Sequence, residues 1–66
     1  MAQTSAAPTE VERIARYREL AVQFRGWAES ESNERARVGL IELARQYERL
    51  ASELTARIDA VLAKRG

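Results

Sequence analysis

The chain contains no cysteine and no histidine, one proline, and four aromatic residues: Trp27, Phe24, Tyr17 and Tyr47. Each shortage removes a class of solution. Without cysteine there are no disulfides, and without cysteine or histidine the usual zinc sites cannot be built. The same two absences remove the common general base and the thiol nucleophile. No glycine-rich phosphate loop and no G-x-S-x-G elbow is present, and Ser30, Ser32 and Ser52 have no base partner. No apolar run approaches the roughly 20 residues that span a bilayer, and MAQTSAAPTE lacks the basic start and apolar core of a signal peptide. The expectation is therefore a non-enzymatic protein with no cofactor, no metal and no membrane span. Absence of cysteine fits a cytoplasmic location.

Charge of one sign is also lacking. The 66 residues carry 11 basic and 10 acidic side chains, a net charge of +1. A dedicated nucleic-acid binder usually shows a strong basic excess. Arg13, Arg16, Arg18 and Arg25 tilt the first half toward basic, as do Arg45 and Arg49 the second, but Glu10, Glu12, Glu19, Glu42 and Glu48 are interspersed. The favoured reading is a salt-bridged, solvated surface, which argues against nucleic acid as a partner. A chain this short rarely buries enough apolar surface alone, so with disulfides and zinc removed, oligomerisation is the remaining support.

What is present is helical periodicity. Residues 1–8 are small and polar and read as a disordered leader. Thr9-Glu10-Val11-Glu12 is a capping box, so a helix is expected over about 10–29. Its stripe is Ile14, Tyr17, Leu20, Ala21, Phe24, Trp27 and Ala28. Residues 30–33, Ser-Glu-Ser-Asn, have no apolar member and favour caps and turns, with Asn33 or Ser32 as the second N-cap. A second helix is expected over about 34–64. Its stripe is Ala36, Leu40, Leu43, Ala44, Tyr47, Leu50, Ala51, Leu54, Ile58, Val61 and Leu62. Glu12–Arg16, Glu31–Arg35 and Glu53–Arg57 have the spacing of helical ion pairs, and the second of these, straddling the break, favours the rival reading of one continuous helix.

The phrase YRELAVQF at 17–24 returns as YERLASEL at 47–54. Folded back at Ser32, facing residues sum to about 63–64, so Tyr17 lies level with Tyr47 and Leu20 with Leu43. Two helices of one bundle sharing a vocabulary explain the phrase, and an internal helix duplication is the sharper alternative. YRELAVQFRGWA followed by RARVGLIELARQYERLASEL resembles a group of small bacterial helical-hairpin proteins, over residues 17–54. Asn33-Glu34 stands where that group often has Asp-Pro, and Gly39 where alanine is usual. The resemblance implies a hairpin and supplies no activity.

The expected fold is all-α: an antiparallel two-helix hairpin that dimerises into a four-helix bundle. Core or interface positions are Ile14, Tyr17, Leu20, Phe24, Trp27, Leu40, Leu43, Tyr47, Leu50, Leu54, Ile58 and Val61. Tyr17, Phe24, Leu43, Tyr47 and Leu50 are expected to form the central layers, and Trp27 to plug the turn end, with a partner anchor as the alternative. Val22, Val38 and Ile41 fall off the stripes, either as singly exposed residues or as a second contact patch. The functional expectation is a small interaction module, an adaptor or regulator acting through self-association and a helical face. The alternatives are a nucleic-acid-associated regulator or an accessory subunit of a larger complex with a protein partner.

Overall fold

The computed structural model describes residues 9–65, so the expectations for the leader 1–8 and for Gly66 lie outside the described residues. Two helices follow one another, α1 from Glu10 to Ser30 and α2 from Glu34 to Arg65, packed side by side as an antiparallel hairpin. The continuous-helix alternative is excluded.

Local chemistry accounts for each boundary. Thr9 Oγ1 accepts from the Glu12 N–H at 3.1 Å, and the Thr9 N–H donates to Glu12 Oε1 at 2.9 Å, which is the capping box in full. At the other end of α1, Glu31 leaves the helix with φ −86° and ψ 122°, and its N–H donates to the Ala28 carbonyl. This extended exit needs no left-handed residue, which is why α1 ends without a glycine. Ser30 Oγ donates to the Gly26 carbonyl at 3.2 Å, and the Asn33 N–H to Glu31 Oε2 at 3.0 Å. Asn33 is the N-cap of α2: its Oδ1 accepts from the Ala36 N–H at 2.9 Å and its carbonyl from the Arg37 N–H. Three residues, Glu31 to Asn33, thus reverse the chain.

The seam between the helices is made mostly of alanine. Ile14, Ala21 and Ala28 follow one another at intervals of seven on α1, as Ala44 and Ala51 do on α2, and among the described residues these five are the buried ones. Seven-residue spacing keeps a residue on one line down a helix facing a neighbour. The methyl groups of the four alanines let the axes approach more closely than larger side chains would allow. The consequence is a thin structure. Its smallest Cα extent is 12 Å, and among the described residues no large side chain is fully buried.

Within the single hairpin the large residues expected at the centre are not enclosed: Leu43 and Leu50 are 38% and 41% exposed. Tyr17, Leu20, Phe24, Leu40, Tyr47, Leu54 and Ile58 are half-buried. They lie beside the alanine seam rather than in it. Two helices enclose only one line of contact, and the alanines occupy it.

Candidate functional site

The alanine seam divides the layer into two faces, and the helical phase decides which side chains rise from each. On one face α1 contributes Tyr17, Leu20, Phe24 and Trp27. Alongside them α2 contributes Leu40, Leu43, Tyr47, Leu50, Leu54, Ile58 and Val61. On the other, α1 places Arg18, Val22 and Arg25, and α2 places Val38, Ile41, Arg45 and Glu48.

An aromatic chain crosses the seam on the first face. Tyr17 and Tyr47, the paired tyrosines of the repeated phrase, have ring centroids 5.8 Å apart. Phe24 stacks on Tyr47 at 5.6 Å with planes 8° apart, and Trp27 meets Phe24 edge-on at 5.3 Å. Offset-stacked and edge-to-face pairs of this kind are the favoured arrangements of aromatic quadrupoles. Trp27 does not plug the turn end; it extends the aromatic row outward and stays 55% exposed. The second tyrosine phrase therefore meets the first directly, and the row of four aromatics forms the middle of the face.

Toward the far end the face continues without α1. Paired from the turn, α1 runs out level with Leu54, and the rest of α2 projects alone. Leu54, Ile58, Val61 and Leu62 line a hollow there with Glu10 and Arg57. Val61 is 52% and Leu62 58% exposed. The length mismatch expected from the sequence is thus present, 21 residues against 32.

The opposite face is polar. Arg25 and Glu48 pair across the seam in a two-pronged bridge, Nε to Oε2 and Nη2 to Oε1, both 2.9 Å. The hydrogen bond from Arg25 holds the Glu48 carboxyl below its ordinary range, the partial burial of the group works against this, and the charges of Arg25 and Arg45 reinforce it. The same bond raises the Arg25 guanidinium. Fork-to-fork pairing fixes direction as well as distance. Sequence spacing could not reveal this pair, because its members are 23 residues apart.

The expected intrahelical pairs are replaced. Among the described residues the remaining ion pairs are Arg16–Glu19 and Arg37–Glu34, one helical turn apart. Glu12 and Glu31 are occupied as caps, so their carboxylates turn toward backbone N–H groups and not toward Arg16 and Arg35. Of the three residues off the main stripes, Val22 and Val38 are exposed and Ile41 is half-buried; Ile41 borders a hollow with Arg25, Ala28, Glu29 and Arg37, and Val22 another with Arg16, Arg18 and Glu19.

Among the described residues no group of three His, Cys, Asp or Glu side chains is placed to hold a metal ion, and no helix is long and apolar enough to cross a membrane. In comparisons with known proteins, no family model matches the chain, and no curated protein and no solved structure matches it either.

Proposed function

We propose that this protein is a non-enzymatic helical interaction module, an adaptor or regulator, that works by self-association through its aromatic and aliphatic face. One observation carries the reading. Helix formation and hairpin closure consume the alanines and leave large side chains outside, with Trp27, Leu43, Leu50 and Val61 between 38% and 55% exposed on the same face. Full burial of each such side chain is worth about 1.5–3 kcal/mol, a large gain for a domain this small. A second copy offers the same apolar surface, and two stacked layers make a four-helix bundle. The polar face, with its Arg25–Glu48 bridge, then remains toward water. A cytoplasmic location suits a chain that relies on packing and has no cysteine.

Sedimentation equilibrium at micromolar concentration tests the reading. The expected species has twice the chain mass, and Leu43→Glu with Leu50→Glu returns it to monomer mass. A folded monomer that stays so at high concentration sinks the proposal.

A further inference from the structure

We infer that the two copies pack with their turns at opposite ends, α2 lying antiparallel on the partner's α2 about a two-fold axis near Leu50. The inference rests on the self-association proposed above and says how it is arranged.

Two symmetric arrangements stack the apolar faces. With the turns together, the axis runs along the helices and each α1 covers the partner's α2. The two overhanging ends of α2 then stand diagonally across the bundle with no α1 beside either. Ile58, Val61 and Leu62 gain little cover. With the turns opposite, the axis runs across the helices, and the overhang of one copy lies on the first half of the partner's α2.

The apolar series of α2 matches the second arrangement. Reversed about a point between Leu50 and Ala51, it falls on itself, facing numbers summing to 101. Leu40 meets the partner's Val61. Leu43 meets the partner's Ile58. Tyr47 meets the partner's Leu54, and Leu50 comes beside its own copy. Leu40, Leu43, Tyr47, Leu54, Ile58 and Val61 each come level with a large apolar counterpart. Such self-complementarity under reversal is required of a two-fold partner, whereas a foreign protein has no need of it. It is the reason to name a second copy as the occupant.

The charges near the contact, Arg13 and Arg57, are carried on stems long enough to bring their guanidinium groups to solvent at the rim.

The absence of cysteine permits a clean distance measurement. A single nitroxide label on Lys64→Cys, an exposed site away from the contact, reads the arrangement directly. With the axis near Leu50 the two labels stand roughly 40 Å apart, at 1.5 Å of rise per residue. Turns together brings them within roughly 20 Å. Opposite turns with the two hairpins fully overlapped places them roughly 60 Å apart. A distance near the first value supports the inference. Either of the others overturns the arrangement while self-association stands. Monomer mass by sedimentation of the labelled protein overturns both. As a second variant, Val61→Asp, at a position 52% exposed in the single hairpin, is expected to weaken dimerisation at least ~10-fold with helix content retained, because it sets a charge against the partner's Leu40. Unchanged dimerisation in that variant counts against the register.

Discussion

Phe24 of α1 and Tyr47 of α2 lie face to face across the helix seam, ring centroids 5.6 Å apart and planes within 8° of parallel. The alanines beneath them are what make this possible. Close helix approach brings the flanking positions near enough for rings to meet above the seam. Tyr47 also reaches Tyr17, so one residue of α2 ties two points of α1.

Loss of Tyr47 is therefore expected to loosen the hairpin. Tyr47→Ala is expected to cost about 2–4 kcal/mol, combining lost apolar area with two lost ring pairs. Tyr47→Phe keeps both rings and is expected to stay within about 0.5 kcal/mol of the parent. Chemical denaturation followed by circular dichroism measures both. Equal loss in the two variants would show that the hydroxyl, and not the stacking, is what matters.

Ala44 has no exposed surface, and Ala21 and Ala51 retain 1% each. Ala44→Leu has no space to enter without driving the helices apart. The expected loss is at least ~1–3 kcal/mol, with the Tyr17–Tyr47 and Phe24–Tyr47 contacts opened. Ala15→Leu, on an exposed position of α1, is expected to shift stability by less than about 0.5 kcal/mol. If Ala44→Leu melts like the parent, the small-residue seam is not the axis of packing.

Arg25 and Glu48 supply an acid-side dependence. The folded protein holds the Glu48 carboxyl below its ordinary value, mainly through the hydrogen bond from Arg25. The unfolded chain binds that proton first as pH falls. Stability from the pair is thus fully present above the ordinary glutamate range, near pH 4.5, and is lost as pH drops through the lower folded value. The bridge is half exposed, so the effect is small and salt-sensitive. Titration of the Glu48 side-chain carbon signal by NMR is expected to show the low midpoint, rising toward the ordinary value in Arg25→Gln. No change in Arg25→Gln would mean that the pair does not persist in solution.

The helix ends are readable from local chemistry alone. A capping box needs only Thr9 and Glu12 three positions apart, and Asn33 caps α2 with its own side chain; both lie within one turn of the backbone they serve. The polar run Ser30–Asn33 placed between two apolar stripes is enough to locate the reversal, and equal spacing from it is enough to bring Tyr17 level with Tyr47. Antiparallel register follows from counting, once the turn is known.

Burial does not follow from counting. The stripes of α1 and α2 are several residues wide, and periodicity marks Leu50 and Ala51 alike as inward. Two helices can enclose only one line of side chains, and which line it is depends on how closely the backbones approach. The tertiary structure gives that line to Ile14, Ala21, Ala28, Ala44 and Ala51, and turns Leu43, Leu50 and Trp27 outward. It also joins Arg25 to Glu48, distant in sequence and otherwise indistinguishable from the solvated charges around them. The sequence by itself determined the helices, the turn and the register, because caps and periodicity act over a few residues. Only packing in three dimensions decided the seam and the two faces, because burial is a property of the gap between helices and not of either helix alone.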